Sequence, residues 1–272
     1  MILDYISAVR VARRFRDYRP QPVSPSTVLQ WLHQFPEEQH PALWRLLQSV
    51  TFVSEKQMVT EMRRINDRLL TRLAEKGVPA NRVVYVSFHD AGSSSAAVLN
   101  LIRDACLLEN RGCKLLDANN VRGLHDVTSK LGTGAIVYVD DFVGSGNQFS
   151  DVHDFVAQHV VGNFSEFLLV HTICEEGIGE LGRRSGVEPV AVGIHGRGNR
   201  PLHDMCTVLS DDDWESLRGT SLKMHREYGL GYQRMATMVV FYRNAPNSVP
   251  LILRGNKRQK PLHGILPRTT DL

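Results

Sequence analysis

The sequence predicts an α/β fold, a parallel sheet with helices on both faces, preceded by a helical N-terminal region. Two observations predict it. Over the first 80 residues apolar side chains recur at helical spacing, and from Arg82 onward short apolar strand-like runs alternate with helical stretches. Buried strands separated by helices belong to a parallel sheet covered on both sides. The expected division is residues 1–80 as the helical region and 81–272 as the α/β domain with a C-terminal extension. At 272 residues and 42% apolar content the chain can bury a substantial core.

In the first region Val28, Leu29, Leu32 and Phe35 follow a helical period, and Leu43, Leu46, Leu47 and Val50 do so again after Pro41. A third helix opens at Ser54 and Gln57, a capping box whose hydroxyl and amide satisfy first-turn N–H groups reciprocally. Met58, Met62, Ile65, Leu69 and Leu73 line one face of it, and Gly77 followed by Pro79 stops it.

Val83–Phe88 then reads as a buried strand, followed by a small-residue turn and a helix from about Ser95 to Asn110. Cys113–Leu116 is a second strand. Ala135–Val139 is the strongest, and the helix after its turn carries Phe149, Val152, Phe155 and Val156. Phe167–Thr172 and Pro189–Ile194 supply two more strands around a short helix at 179–184. Beyond Asp211 the rhythm breaks: Ser210 and Asp211–Asp213 read as a capped helix start, and Ala236–Tyr242 as a late strand.

Composition narrows the function classes. No apolar run approaches the roughly 18 residues a membrane span needs, and Asp4, Arg10, Arg13 and Arg14 interrupt any signal-like segment. A cytoplasmic protein with no membrane partner is expected. Cys106, Cys113, Cys174 and Cys206 lack metal-ligand spacing and read as free thiols. The formal charge of +3 does not by itself imply nucleic acid. Two basic clusters, Arg10–Arg19 and Arg254–Arg268, are candidate phosphate contacts, weighed against an ordinary solvated surface.

The chemistry sits at Asp140–Gln148. A buried strand leads to two adjacent acids, then Phe142 and Val143, then a Gly144-Ser-Gly-Asn-Gln148 turn and a helix. Ligands of open parallel sheets bind beyond the carboxyl ends of the strands. A glycine-bearing turn into a helix aims backbone N–H groups and the positive helix end at an anion. Ser145 adds a hydroxyl donor. Asp140 and Asp141 can accept hydrogen bonds from a vicinal diol, so one segment offers partners for both ends of a ribose 5-phosphate. Val143, Gly144, Ser145, Gly146, Asn147 and Gln148 are therefore the candidate substrate-binding residues, and Asp140 and Asp141 the candidate catalytic ones.

This segment resembles the type I phosphoribosyltransferase motif, which has a hydrophobic strand, two acids, two apolar residues and a hydroxyl-rich glycine turn. Asp140 and Asp141 match the acids, Ser145 the second hydroxyl position and Gly146 the glycine. Gly144 replaces the first hydroxyl residue and Gln148 the last. Trp31–Phe35, Asp211–Trp214, Gly229–Tyr232 and Asn244–Asn247 with Pro250 are similar to a divergent branch of such proteins. That branch is encoded in bacterial conflict (anti-phage) gene clusters, some beside retron reverse transcriptases.

The resemblance implies a ligand of phosphoribosyl pyrophosphate or a nucleotide, with Mg²⁺ carried through the substrate phosphates. It implies transfer or cleavage at the anomeric carbon and a reverse transcriptase or nucleic acid as a defence partner. It also implies a pyrophosphate loop after the first strand, where Ser93, Ser94 and Ser95 open a helix. That loop brings no Lys or Arg, so cations would come from Arg111, Lys114, Arg122 or Lys130, where the family's mobile loop would lie. His89 and His125 are acid–base candidates, and Arg197 and Arg200 fall where the resemblance places part of the acceptor site. The altered turn and the cation-free loop leave a non-catalytic nucleotide- or partner-binding module as the alternative.

Overall fold

Helical periodicity and capping build the first fifty residues of the computed structural model, which describes residues 2–88, 94–206, 208–256 and 262–271. Helix α1 (Ile2–Arg14) is followed by α2 (Pro25–Leu32), where Ser24 accepts the Thr27 N–H and proline stands in the first turn. Helix α3 (His40–Ser49) and strand β1 (Thr51–Val53) lead into the long α4 (Glu55–Glu75). The α4 residues Met58, Met62, Ile65, Leu69 and Leu73 are all buried, as their spacing predicts.

The alternating part follows: β2 (Val83–Ser87), α5 (Ser94–Cys106), β3 (Lys114–Asp117), α6 (Val121–Leu131), β4 (Thr133–Val143), α7 (Asn147–Ala157), β5 (Asn163–Cys174), α8 (Glu175–Arg184) and β6 (Glu188–His195). Then come α9 (Asp211–Met224), β7 (Val239–Phe241), a one-turn helix at Leu251–Arg254 and a short antiparallel pair of Gly255–Asn256 with Leu262–His263. Helix α5 stops before Asn110 because Leu107 takes a positive φ of 51°. The turn then folds Leu108 fully into the core.

The chain divides into two compact units, Met1–Glu55 with His195–Leu272, and Lys56–Ile194. In the first, β1 pairs in parallel with β7, and α1, α2, α3 and α9 share one hydrophobic core with the C-terminal segment. The outer sequence motifs do structural work here. Trp31 Nε1 donates to the Ile252 carbonyl at 2.8 Å. The Asn244 side-chain oxygen accepts from the Ala245 and Thr269 amides. Gly231 sits at φ +81°, where a Cβ would lie 2.1 Å from the Ser248 carbonyl oxygen. Ser210 caps α9 through the Asp213 amide, and Arg45 pairs with Asp213, so the three acids serve the helix start.

The second unit is the α/β body. Its sheet has the order β3-β2-β4-β5-β6, and the β3–β2, β2–β4 and β4–β5 pairs are parallel. Connections β2–α5–β3 and β3–α6–β4 step across the sheet in opposite directions, so right-handed crossovers put α5 and α6 on opposite faces. On one face Val84, Val86, Ile136, Tyr138, Leu168 and Val170 pack with Leu124 of α6, Phe149 and Val156 of α7 and Leu181 of α8. On the other, Tyr85 donates to Asn66 of α4 at 2.6 Å, and Arg72 of α4 lies over the Phe167 ring. The fold class is as expected: α/β, a parallel sheet with helices on both faces, and helices at the N-terminus. No helix among the described residues is long and apolar enough to cross a membrane.

Candidate functional site

Strand β4 is the central strand of the sheet, and its register carries the two acids to the sheet's carboxyl end. Asp140 pairs with Val170 and Phe142 with Thr172, so Asp141 stands beside His171. The strand continues through the acids to Val143 rather than ending at them. Residues 144–146 then bend, and α7 begins at Asn147. Gly146 is the N-cap in the left-handed region, φ +85°. A Cβ there would meet Glu180 Cβ at 2.8 Å and the Gly177 Cα at 3.3 Å. Gly177 is held to the same limit, since its own Cβ would sit 2.7 Å from the Gly144 carbonyl oxygen. Helix α8 thus forms a tight floor under the turn.

The floor is braced by charge. Glu180, 6% exposed, pairs with Arg183, and Arg184 reaches Glu180 at 3.6 Å. Arg184 also bonds Asp154 of α7 at 2.6 Å. The two helices flanking the turn are therefore clamped together. Sequence reading missed Glu180 and Gly177, because only the tertiary approach of α8 gives them a role.

The acids differ. Asp140 is 7% exposed, and its Oδ1 accepts both the Ser94 hydroxyl at 3.0 Å and the Asp141 amide at 2.9 Å. Burial, then the neighbouring Asp141 charge, pushes its carboxyl well above the ordinary range. Asp141 is half-buried and is the better placed of the pair to accept from a ligand. Beside it, His171 Nε2 lies 2.8 Å from Glu61 of α4 and Nδ1 2.9 Å from the Thr172 hydroxyl. Burial lowers the His171 pKa, with Glu61 and Asp141 acting the other way. With Nε2 donating to the carboxylate, Nδ1 accepts from Thr172.

Val143 is buried, Gly144, Ser145 and Asn147 are half-buried, and Gln148 is exposed on the first turn of α7. Ser94 begins α5 and binds Asp140, so the serine loop and the acids meet. Ser95 is inward: its hydroxyl donates to the Val139 carbonyl at 2.5 Å and accepts the Phe88 amide at 2.9 Å. Ser93 and His89 lie outside the described residues, as do Lys257, Arg258 and Lys260.

The suggested cations separate by position. Lys114 pairs in register with Val84, at the amino end of β2, and Arg111 bonds Asp67 at 3.1 Å. Lys130 is at the far end of α6, while Arg122 opens that helix at the carboxyl rim. His125 is exposed on α6, 3.6 Å from Asp126. Residues 121–131, where the mobile loop was expected, thus form a helix capped by Asn120. Arg200 is corrected outright. It is fully buried and donates to the His195 carbonyl at 2.7 Å, which makes it a structural residue of the first unit; Arg197 is exposed. Among the described residues no three His, Cys, Asp or Glu side chains cluster as a metal site.

The sequence profile of the PRTase-CE family matches residues 28–268, nearly the whole chain. The chain belongs to the PRTase-CE family. It is a phosphoribosyltransferase-like protein, and the matched span includes the acids, the turn and the outer motifs of the first unit. No curated protein matches. Among solved structures, the HGPRT-ase of Leishmania tarentolae in complex with GMP is 16% identical, with 54% of this chain and 82% of that one covered and a TM-score of 0.39. The orotate phosphoribosyltransferase of Aeropyrum pernix is 19% identical over 50% of this chain and 68% of that one, TM-score 0.32. Trypanosoma cruzi hypoxanthine phosphoribosyltransferase, in complex with the product IMP, is 14% identical over 53% and 75%, TM-score 0.37. At these values the likenesses add nothing to what the PRTase-CE match establishes.

Proposed function

We propose that this PRTase-CE protein binds a ribose 5-phosphate ligand, phosphoribosyl pyrophosphate or a nucleotide, and substitutes or cleaves at its anomeric carbon. One observation carries the reading: β4 delivers Asp140 and Asp141 directly before a Gly144–Gly146 bend that opens α7. The turn amides and the positive end of the helix suit the 5-phosphate, with Ser145 as a further donor. Asp141 accepts from the ribose hydroxyls. Asp140, tied to Ser94, fixes the spacing between the acid pair and the start of α5, where the exposed Ser94 is the described serine that would meet the leaving anion.

Both transfer and cleavage pass through an oxocarbenium-like state, so holding the ribose and steadying the departing anion supply most of the catalysis. No protein nucleophile is needed. The half-buried Asp141 carboxylate fits Mg²⁺ held mainly by substrate phosphates and water, whereas the enclosed, raised-pKa Asp140 does not. When bound, the ion would neutralise leaving-group charge that this loop's own side chains do not.

The biological setting proposed is the cytoplasm, as an effector of a bacterial anti-phage system with a reverse transcriptase or its nucleic acid as partner. The outer motifs support it. The basic clusters support it less than their composition suggests, because Arg14 and Arg254 donate to backbone carbonyls and Arg19 pairs with Glu55.

The alternative, a sensor that binds the ligand without turning it over, is favoured by the raised Asp140 pKa and the cation-free serine loop. The test incubates the protein with phosphoribosyl pyrophosphate, common nucleotides and Mg²⁺ and reads the products by mass spectrometry, with Asp141→Asn as control. A released base or pyrophosphate that disappears in the variant supports the enzyme. Bound but unchanged ligand supports the sensor.

A further inference from the structure

Beside the phosphate turn lies a second concavity that a simple ribose 5-phosphate would leave unused. Resting on the reading above, we propose that the natural ligand carries a second nucleoside on its 5-phosphate, with that nucleoside's base seated in this cavity. The cavity measures about 250 Å³ and is lined by Ala118, Asn119, Gln148, Asp151, Val152 and Phe155. All six belong to the α/β unit.

Position decides what the cavity can serve. Gln148, Asp151, Val152 and Phe155 occupy one stripe of α7, at spacings of three, four and seven from Gln148. The stripe starts at the turn and runs away from it down the helix. Gln148, on the first turn of α7, is the lining residue nearest along the chain to the Gly144–Gly146 bend. Along the chain the acids Asp140 and Asp141 precede the turn, and the α7 residues of the cavity follow it. A ligand with its ribose at the acids and its 5-phosphate at the turn would reach the cavity through the phosphate.

The lining fits a heteroaromatic ring. Phe155 is 40% exposed, although α7 has a buried face available at Phe149 and Val156. Its ring makes an edge contact with His159, centroids 4.9 Å apart, which holds it in place as a stacking platform. Ala118 supplies a small apolar part of the lining. Asn119 is set by a tight turn in which the Asp117 carboxylate accepts its amide at 2.8 Å, and Asn120 caps α6 directly after. The Asn119 and Gln148 side-chain amides combine donor and acceptor atoms, the chemistry that pairs with a base edge. Asp151 can accept from an exocyclic amine or a ribose diol, its charge balanced by Arg184 at 3.7 Å. Pockets that enclose whole small ligands run to about 300–1,000 Å³. The smaller cavity suits one ring system appended to a ligand held elsewhere.

The chemistry shared by the candidate ligands is a ribose 5-phosphate joined through that phosphate to a second nucleoside. A free anhydride-linked dinucleotide and a nucleotide within a nucleic-acid strand both present it. Isothermal titration of the whole protein with ribose 5-phosphate, ADP-ribose and adenylyl-3′,5′-adenosine tests the proposal. ADP-ribose is expected to bind about tenfold tighter than ribose 5-phosphate, as stacking of one base on an aromatic ring provides. Phe155→Ala should erase that margin and leave ribose 5-phosphate affinity unchanged, with Asn119→Ala reducing the margin in part. An equal margin for the dinucleoside monophosphate assigns the ligand to a strand, and a margin for ADP-ribose alone assigns it to a free dinucleotide. Equal affinities for all three ligands, or a margin that survives Phe155→Ala, overturns the proposal while leaving ribose 5-phosphate binding intact. Failure of every ligand to bind overturns the site reading beneath it.

Discussion

The Ser94 hydroxyl donates to Asp140 Oδ1 at 3.0 Å, tying the first residue of α5 to the buried acid of β4. The same oxygen accepts the Asp141 amide. Asp140 is thereby held as a nearly enclosed carboxyl whose pKa burial and Asp141 raise well above its ordinary 3.8. A group with a raised folded-state pKa favours folding when protonated. Its contribution is intact below pH 3.8 and is lost as pH climbs towards the folded value. Asp140→Asn should therefore gain stability relative to wild type as pH rises from 4 to 8. Urea midpoints across that range would show a widening gap; parallel curves would mean Asp140 ionises freely.

Gly146 stands at φ +85° with Glu180 and Gly177 against it. Gly146→Ala should cost about 1–3 kcal/mol, from the left-handed backbone and the forced retreat of α8. It should also weaken phosphate binding, because the turn cannot relax without moving its amides. Gly182→Ala, a helical glycine with nothing near its Cβ position, is the matched control and should be stabilising by about 0.5–1 kcal/mol. Chemical denaturation of both variants makes the comparison.

His171 offers the opposite pH dependence. Burial lowers its pKa below the usual 6.5, so the unfolded chain binds the proton more readily. The resulting stability is present above pH 6.5 and is lost as pH falls through the folded value. His171→Gln should flatten the stability profile between about pH 5 and 7. An unchanged slope in that window would show that the histidine titrates normally despite Glu61 and Thr172.

Much of this was legible in the chain. The period of Met58 to Leu73, the apolar strands and the order acid-acid-apolar-apolar-glycine depend on local pattern, and local pattern survives folding. The unread parts depend on distant neighbours. The helix at 121–131 escaped because Gly123 and the paired asparagines resemble a loop, although Asn120 and Gly132 are its caps. Arg200 looked like a ligand residue because nothing local shows that it is enclosed. Glu180, Glu61 and His171 acquire their surroundings only when α4, α8 and β5 converge on the carboxyl end of β4.

The N-terminal arginines separate in the same way. Arg14 donates to the carbonyls of Leu47, Gln48 and Val50, at the end of α3, while Arg13 faces solvent. Arg14→Ala should lose about 1–2 kcal/mol of stability, the range of a charged donor on otherwise unfilled helix-end carbonyls. Arg13→Ala should lose almost none. Of these two variants, Arg13→Ala is the clean test of nucleic-acid binding, read as a shallower salt dependence.

The most direct test of the ribose-phosphate site is calorimetric titration of phosphoribosyl pyrophosphate with Mg²⁺ into wild type and Asp141→Asn. The prediction is saturable one-to-one binding to wild type, weakened about tenfold or more in the variant, as loss of a charged hydrogen-bond acceptor requires. Absence of binding to wild type, or equal affinity in a folded Asp141→Asn protein, would contradict it.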